Sequence, residues 1–404
     1  MQDVGRDQAV DYDPFSPEVL ADPVPAHRRL RAECPVHHFT DFELDFYTLS
    51  RYDDVLDGLR DIQTWSSKYS QSPRYQVQGG MLDDPPGHTM FRRMTLRTFT
   101  PRAVERMEPS IDVLADELLD AMAAQGTSGD LHDGFACPLP VVTIARMLGV
   151  AEDDLWTFKG WSDAQVAMMG RGDPEAHLQA RTEMSDYFVV EMARRRALLA
   201  AGEELPDDLV SGLVVAAEEA PRQIEDAELL GVLNQLLVGG NETTTSLITN
   251  AVVRLLEDRS RWDALCADPS LAELVVEESL RFDPPVLGLF RTTSTEVERH
   301  GTVIPENAKV MMLYASANRD EQAFEDPDEF RLDRDLAELR RKHLAFGSGI
   351  HFCLGAPLAR MEGRIALQKL VARFPDLELD GEPERIDPFL LFGKRTLPVR
   401  WGTP

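Results

Sequence analysis

One long helical pattern, over residues 226–258, constrains the fold of this chain more than any other feature of its sequence. The run reads DAELLGVLNQLLVGGNETTTSLITNAVVRLLED, with apolar residues at helical spacing. As a single helix it spans about 48 Å at 1.5 Å per residue, enough to cross a whole domain. A membrane span is disfavoured by a polar middle that contains Asn234, Gln235, Asn241, Glu242 and three threonines. The sequence therefore predicts a long central helix that is buried inside the domain.

The polar middle of this run, Gly239 to Thr244, consists of poor or middling helix formers. Gly239 and Gly240 lie four and three positions before Thr243, so they share one helical face with it. The missing side chains leave a groove for a small ligand, and the Thr243 hydroxyl can reach a loosened carbonyl. The alternative is that the glycines only permit close helix packing and the threonines bond back to their own helix. These residues alone do not decide between the two.

Elsewhere, helical patterns alternate with turns rich in Pro, Gly and Asp. They cover residues 101–124, 140–149, 152–168 and 174–200. A short hairpin is predicted at 36–50, and strand-like segments return at 301–316 and in the C-terminal FLLFGKRTLPVRW. We therefore predict one domain over residues 1–404, mainly α with a minor β region (α+β) assembled from distant segments.

Charge and cysteine content narrow the range of functions. Lys plus Arg total 42 against 70 Asp plus Glu, a formal net charge of −28, which repels nucleic acid and anionic lipid. The four cysteines contain no CxxC pair, so neither a disulfide framework nor a zinc site is indicated. The acidic start lacks the basic end and apolar stretch of a signal peptide. We expect a cytoplasmic protein with no nucleic-acid partner and no membrane anchor.

A second motif, FGSGIHFCLG at residues 346–355, surrounds Cys353 with three glycines. It fits neither a GxGxxG dinucleotide fingerprint nor a Walker loop. The helical pattern that follows has Pro357 near its first turn, so the thiol lies near free amide N–H groups and the positive end of a helix. A nucleophile usually needs a base, and in an extended loop the side chain of His351 need not meet the thiol. A soft metal ligand fits the glycine loop better, whereas the other cysteines are interpreted as small buried hydrophobes.

Glu278 and Arg281, in LVVEESLRFDPP, form an i, i+3 pair at the end of a helix that Pro284 and Pro285 stop. Such a pair is usually exposed and contributes about 0.3 kcal/mol. The alternative is a buried bidentate pair that locks a core.

Together these motifs resemble those of the cytochrome P-450 family. Residues 346–355 match its haem-binding loop, F-x-x-G-x-x-x-C-x-G, which is a highly specific pattern. The resemblance includes His88-x-x-x-Arg92, the Gly239 to Thr244 segment and Glu278-x-x-Arg281, in the right order over nearly the whole chain. It implies the cytochrome P-450 fold, with haem between the long central helix and the helix after the cysteine loop. This chain departs from the family at Gly239 and Asn241, where Ala and His are frequent.

The resemblance also implies roles for individual residues. Cys353 is expected to be the proximal ligand of iron in haem b, its thiolate favouring O–O cleavage. Glu242 and Thr243 match the acid-alcohol pair that conducts protons to dioxygen. Glu278 and Arg281 are expected to be structural. The residues expected to bind the haem propionates are His88, Arg92, Arg291 and His351.

A soluble bacterial-type monooxygenase that hydroxylates a small molecule is the activity that the resemblance implies. No flavin or iron–sulfur signature occurs in the sequence, so electrons are expected from NAD(P)H through a ferredoxin reductase and a ferredoxin. Basic residues that are candidates for docking an acidic ferredoxin are Arg92, Arg93, Arg97, Arg102, Arg340, Arg341 and Lys342. The alternatives are a peroxide-driven peroxygenase and a non-enzymatic haem-thiolate sensor or carrier. Peroxygenases of the family usually lack the acid-alcohol pair, and a sensor does not need it.

The distal pocket is expected to be mainly apolar, with contributions from 69–81 and 166–169. By position in the family, the residues expected to line it are Leu237, Gly240, Val286, Leu289, Leu390 and Leu391. An apolar substrate of moderate size is therefore favoured, such as a steroid, terpenoid, fatty acid or polyketide precursor. Arg74 is a candidate partner for a substrate carboxylate.

Overall fold

The computed structural model describes residues 10–77, 79–96, 98–168 and 172–402. Helices make up most of it, as the sequence predicted. Their bounds are α1 (Pro17–Ala21), α2 (Val24–Glu33), α3 (Tyr52–Arg60), α4 (Gly87–Leu96), α5 (Pro101–Glu105), α6 (Glu108–Gln125), α7 (Pro138–Leu148), α8 (Leu155–Ala167), α9 (Pro174–Ala201), α10 (Leu209–Glu218), α11 (Asp226–Gly240), α12 (Glu242–Leu256), α13 (Arg259–Ala267), α14 (Ala272–Phe282), α15 (Tyr314–Ala317), α16 (Leu336–Lys342) and α17 (Ala356–Arg373).

The β structure is small and joins segments that are far apart in the chain. The strands are β1 (Val36–Phe39), β2 (Phe46–Leu49), β3 (Trp65–Ser66), β4 (Ser128–Asp130), β5 (Leu289–Thr293), β6 (Val297–Arg299), β7 (Thr302–Ile304), β8 (Lys309–Met312), β9 (Glu378–Leu379), β10 (Glu384–Arg385), β11 (Lys394–Thr396) and β12 (Pro398–Arg400). The largest sheet has the order β1-β2-β8-β5-β3, with β2 and β8 parallel. The predicted hairpin is β1 and β2, and the predicted minor β region is confirmed.

Helix α12 runs through the main hydrophobic core. From Glu242 to Leu255, every side chain except those of Thr243 and Arg254 is buried. Asn250 fixes the helix to two loops, because its Nδ2 donates to backbone carbonyls of Asp283 and Phe392 at 3.1 and 2.8 Å. The expectation of a buried central helix is therefore confirmed for this half of the run.

The predicted single helix over 226–258 is divided into α11 and α12. Asn241 stands between them with φ −100° and ψ −81°, outside the helical region. The interruption falls among the weak helix formers, where hydroxyl groups compete for backbone carbonyls. The sequence indicated where the helix is weakest, but the prediction of one continuous helix was wrong.

A row of ion pairs joins α6 to α17, the helix that follows the cysteine loop. Four acidic residues recur at every fourth position of α6 and face three basic residues of α17. The pairs are Glu108–Arg364, Asp112–Lys369, Asp116–Lys369 and Asp120–Arg373, with N–O distances of 2.6, 2.7, 2.7 and 3.2 Å. This α6–α17 ladder supports the helix that carries the site described below.

Among the described residues, no helix combines the length and the apolar character that crossing a bilayer requires.

Candidate active site

The cysteine loop, residues 346–355, uses backbone conformations that favour glycine. Gly347 and Gly349 have φ values of +70° and +72°, in the left-handed region. A β-carbon on Gly349 would lie 2.8 Å from the carbonyl oxygen of Leu59, so a side chain there displaces the loop or α3. The glycines thus allow the loop to lie against the end of α3.

Cys353 lies at the end of this loop, immediately before α17. Its N–H donates to the Phe346 carbonyl oxygen at 2.9 Å, which closes the loop. Burial raises the pKa of the Cys353 thiol, whereas N–H groups of Gly355 and Ala356 and the charge of Arg92 act in the opposite direction. The donors that stabilise a thiolate are therefore in place around the sulfur.

The four predicted propionate partners meet beside the cysteine loop. The rings of His88 and His351 have centroids 4.4 Å apart. Arg92 donates to the Phe352 carbonyl oxygen at 2.6 Å, and Arg291, which is buried, donates to the carbonyl of its preceding neighbour at 3.0 Å. Burial, together with the nearby charge of Arg291, lowers the pKa of His351 to about 3. Two histidines and two arginines are thus gathered in one place.

Some of these groups lack partners. In the described parts of the chain, neither ring nitrogen of His88 nor Nε2 of His351 makes a well-aligned hydrogen bond, although all three atoms are buried. Unpartnered buried polar atoms are costly unless a ligand satisfies them. Two cations and two incompletely satisfied imidazoles fit the paired carboxylates of a haem, so the residues present suit this cofactor.

The break between α11 and α12 presents Thr243 to an adjacent cavity. The Thr243 hydroxyl donates to the Gly239 carbonyl oxygen at 2.7 Å, which an uninterrupted helix would use for the N–H of Thr243. Thr245 donates its hydroxyl to the Asn241 carbonyl oxygen at 3.2 Å. Side-chain hydroxyls therefore satisfy carbonyls at the break and stabilise the local distortion.

Glu242 has different partners from its neighbour Thr243. Burial raises the pKa of Glu242, and the Lys159 ammonium, 3.9 Å from a Glu242 oxygen, opposes this effect. Lys159 in turn donates to Asp163 at 2.5 Å, and the Asp163 side chain is half exposed. A chain of charged groups thus connects the buried Glu242 carboxyl to solvent.

A cavity of about 460 Å³ lies at the break, and both Glu242 and Thr243 line it. Of the residues predicted for the pocket, Val286, Leu289 and Leu391 contribute to the lining, as does Gly239. The loop 70–76, α9 and part of α11 add polar groups. The cavity is therefore lined mainly by apolar surface, as expected, with a polar wall contributed by these segments.

Three residues predicted for the pocket pack elsewhere. Leu237 is buried in the main core, and Leu390 is buried with Phe290 beneath the largest sheet. A β-carbon on Gly240 would lie 2.9 Å from Ile144 Cγ1, so this glycine lets α11 approach α7. Both interpretations of the glycine pair are thus realised, one at each residue. Motif position places a residue on an element but does not fix which face meets the cavity.

Two polar side chains, the half-buried Gln235 and the buried Lys309, hold the loop that lines the cavity. Gln235 donates to the Gly79 carbonyl oxygen at 2.9 Å and accepts from the Met81 N–H at 3.0 Å. Lys309, on β8, donates to the Tyr69 carbonyl oxygen at 2.6 Å and to the next carbonyl at 2.9 Å. The loop is therefore fixed to the central helix at one end and to the sheet at the other.

Glu278 and Arg281 form a fully buried bidentate pair, with N–O distances of 2.7 and 2.8 Å. Arg334 also donates to Glu278, at 3.0 Å, and Arg281 donates to three backbone carbonyls. The alternative of an exposed pair is thereby excluded. A single carboxylate with two arginines fixes α14 to the segment before α16.

Sequence reasoning missed the neighbouring Glu277, which is also buried. His343, Arg340 and Arg360 donate to it at 2.6 to 3.0 Å. Although burial disfavours the charge, hydrogen bonds from His343 and Arg360 lower the pKa of Glu277 to about 2. Two consecutive carboxylates therefore organise the cysteine side of the core.

Glu362 of α17 was missed as well, although its sequence position carried a signal. It occupies the apolar face of the helix, one turn after Leu358 and before Ala366. Burial raises the pKa of Glu362 to about 8, against hydrogen bonds from Thr143 and Thr244. A neutral carboxyl thus lies behind α12, next to the helix break.

Comparison with known proteins assigns this arrangement to a class. The cytochrome P450 family model matches residues 165–401. The chain is 38% identical to cytochrome P450 monooxygenase PikC of Streptomyces venezuelae, over 97% of this chain and 94% of that protein. The chain therefore belongs to the cytochrome P450 family and has its fold, as the sequence predicted.

Further relatives agree. Erythromycin C-12 hydroxylase of Saccharopolyspora erythraea is 38% identical over 87% of this chain and 88% of its own length. A solved structure, the cytochrome P450 PksS of the bacillaene polyketide synthase of Bacillus subtilis 168, superposes with a TM-score of 0.87. It shares 32% identity over 97% of this chain and 100% of that chain. The protein is accordingly a bacterial-type haem-thiolate monooxygenase that uses dioxygen and an organic substrate.

Proposed function

We propose that this protein hydroxylates an amphipathic small molecule with electrons that pass from NAD(P)H through a ferredoxin reductase and a ferredoxin. The observation that carries the proposal is the cavity at the helix break, which Glu242 and Thr243 line together. An acid and an alcohol at one end of a ligand-sized cavity suit proton delivery to dioxygen beside a bound substrate.

In this proposal Cys353 would supply the thiolate ligand of the haem iron, and His88, Arg92, Arg291 and His351 would hold the haem propionates. N–H groups of Gly355 and Ala356 that point to the sulfur temper its charge. When bound, a thiolate-ligated haem supplies the activation of dioxygen and O–O cleavage. Glu278 and Arg281 keep the scaffold beneath the loop in place.

The protein's own groups supply the protons. Thr243 donates its hydroxyl hydrogen to Gly239, so its oxygen lone pairs are available to a water in the cavity. Because burial raises the pKa of Glu242, this carboxyl is suited to take up a proton and release it toward Thr243. Lys159 and Asp163 then return a proton from solvent to Glu242.

The electron donor is proposed to dock on the cysteine side. Arg93 and Arg102 are exposed on α4 and α5, and Arg341 is exposed on α16. Other candidates are engaged in the fold, since Arg340 pairs with Glu273 and Glu277, and Lys342 with Glu338. Arg97 lies outside the described residues. The docking proposal therefore rests on Arg93, Arg102 and Arg341.

The substrate class is inferred from the relatives and from the cavity. The names of relatives and similar structures refer to erythromycin, to a polyketide synthase and to an acyl carrier protein that bears hexadec-9Z-enoic acid, so a polyketide-type or fatty-acid-type molecule is favoured. The enzyme is proposed to act in the cytoplasm, with residues 1–404 as one unit. A haem-thiolate sensor or a peroxygenase remains the alternative, which the acid-alcohol pair disfavours.

The decisive experiment is the absorption spectrum of the dithionite-reduced protein with carbon monoxide. A strongly red-shifted Soret band that Cys353→Ser abolishes is expected for a thiolate ligand. A band typical of histidine ligation contradicts the assignment of Cys353, and a protein without haem contradicts the whole proposal.

A further inference from the structure

The cavity at the helix break contains more basic groups than the expected apolar pocket does. Arg74, the candidate partner for a substrate carboxylate, is engaged within the protein. Its Nε and Nη2 donate to the two oxygens of Glu43 at 3.0 and 2.8 Å, and its Nη1 donates to the Met168 carbonyl oxygen at 3.2 Å. Arg74 therefore ties the lining loop to the end of α8 and is poorly placed to hold a ligand.

Arg181, on α9, is a different case. It also lines the cavity, and within the described residues its guanidinium has neither a hydrogen-bonded nor an ionic partner. His177, which is half-buried, lies one turn earlier on the same face and lines the same cavity, and in that part of the chain its Nδ1 makes no well-aligned hydrogen bond, with only the Ala164 backbone as a hydrogen-bonding neighbour. An exposed arginine is explained by solvent alone. An incompletely satisfied ring nitrogen beside it, on the same cavity wall, indicates a polar ligand group.

The polar wall on α9 approaches α11 near Asn234, before the helix break. Gln165 of α8 hydrogen-bonds to Asn234 of α11, and Met184 of α9 lies 3.8 Å from the Gln165 amide nitrogen. Asn234 lies seven residues before the break at Asn241, which corresponds to about 10 Å along α11. The apolar cluster along the cavity consists of Val166, Val238, Val286 and Leu391. A ligand that reaches from α9 to Thr243 therefore crosses an apolar stretch.

The charged side chains that line the cavity indicate which sign of charge a ligand would carry. In a chain with a net charge of −28, the one carboxylate in the described lining is Glu242, which lies at the reactive end near Lys159. The α9 wall contributes Arg181 and His177 and no acidic side chain. A carboxylate there gains a charge-assisted hydrogen bond from the guanidinium, whereas an uncharged group of equal shape does not.

We propose that the substrate is an anionic amphiphile whose carboxylate binds Arg181, next to His177, while its apolar body lies between α11 and the β5 region. This inference rests on the proposed function, since it assigns a substrate class to the same cavity. It also explains why the lining is polar at α9 and apolar near Leu391. Oxidation is then expected on the part of the molecule remote from the carboxylate.

Equilibrium titration of the haem protein tests the proposal. The probes are straight-chain fatty acids from dodecanoic to octadecanoic acid, the rigid amphiphile deoxycholate, and the methyl ester of each. Binding is followed by the spin-state change of the haem and, independently, by calorimetry. At least one acid is expected to bind about tenfold more tightly than its ester. Arg181→Gln should remove this difference, and Arg181→Lys should restore part of it.

The matched control is Arg194→Gln, because Arg194 is a largely exposed arginine of the same helix outside the cavity lining. It should bind every acid as the wild type does. If no acid binds more tightly than its ester, or if Arg181→Gln retains the difference, the proposal is wrong. A normal carbon monoxide spectrum in the same preparation shows that only this inference has failed, whereas loss of that spectrum points to the proposed function itself.

Discussion

Glu362 is a carboxylic acid in a place where water does not reach it. Its side chain packs behind α12, near Thr143 and Thr244, and one of its oxygens has no partner in the described residues. Burial raises its pKa from an ordinary 4.5 to about 8. Near neutral pH the folded protein therefore keeps this group protonated.

The stability of the protein should depend on pH through Glu362. Between pH 4.5 and 8 the folded state holds a proton that the unfolded chain releases, so the free energy of unfolding falls as pH rises across this window. Glu362→Gln removes the titrating group. Relative to wild type, it should gain stability progressively from pH 4.5 to 8, by up to a few kcal/mol. Thermal unfolding at several pH values measures this.

Glu117→Gln is a suitable control, because Glu117 is exposed on α6. It should show no comparable trend with pH. A stability difference between Glu362→Gln and wild type that is the same at every pH would mean that Glu362 is ionised in the folded protein.

Replacement of Thr243 by alanine tests the proton path. Thr243→Ala should continue to consume NAD(P)H and dioxygen, because the proposed haem ligands are untouched. Product per electron pair should fall about tenfold or more, since no hydroxyl orders water at the helix break. Thr243→Ser keeps the hydroxyl and should stay largely coupled. If Thr243→Ala forms as much product per electron pair as the wild type, Thr243 has no role in proton delivery.

The conformation of the cysteine loop depends on Gly349 for close packing as well as for its positive φ. Gly349 and Gly301 both have positive φ, +72° and +77°, but only at Gly349 does an added β-carbon meet the neighbouring backbone within 3 Å. Gly301→Ala should therefore cost about 1 kcal/mol of strain and keep normal haem content. Gly349→Ala should displace the loop and lower the Soret absorbance per protein severalfold.

Haem content and the thermal midpoint of both variants provide the measurement. Equal effects of the two substitutions would contradict the role of close packing against Leu59.

Local sequence determines the elements that could be predicted. The cysteine loop, its following helix and the buried Glu278–Arg281 pair each lie within a short stretch, where spacing and turn residues decide the geometry. The break at Asn241 was foreseen only as a region of weak helix formers, because its extent depends on hydroxyl–carbonyl bonds.

Contacts between distant elements could not be predicted in the same way. Gly240 faces Ile144 and Leu390 packs near Phe290, and neither neighbour is close in sequence. Lys159 meets Glu242 only because α8 crosses the helix break. No sequence motif pointed to Arg181, because its role depends on which face of α9 meets the cavity.

Charge over the whole molecule affects how an acidic ferredoxin approaches. The net charge of −28 repels it at long range, while Arg93, Arg102 and Arg341 attract it locally. The screening length is about 30 Å at 0.01 M salt, 10 Å at 0.1 M and 3 Å at 1 M. The rate of reduction should therefore pass through a maximum near 0.1 M, where repulsion is screened and the local attraction persists.

Stopped-flow reduction across this salt range measures the effect. The double variant Arg93→Gln/Arg102→Gln should lower the maximum. A rate that does not change with salt, or that rises steadily to 1 M, would argue against docking on these arginines.

The α6–α17 ladder has a consequence for alignment of the two helices. Its acidic residues repeat every fourth position, so a slide of one helix by a single turn, about 5.4 Å, re-pairs most of the same charges. The ion pairs alone are therefore compatible with several axial positions of α17 relative to α6. Gly363 adds a contact that does not repeat along the helix, because a β-carbon there would lie 3.0 Å from Val276 of α14. This close contact therefore favours one axial position of α17, the helix that follows the cysteine loop, whereas the ion pairs alone do not distinguish it from the next.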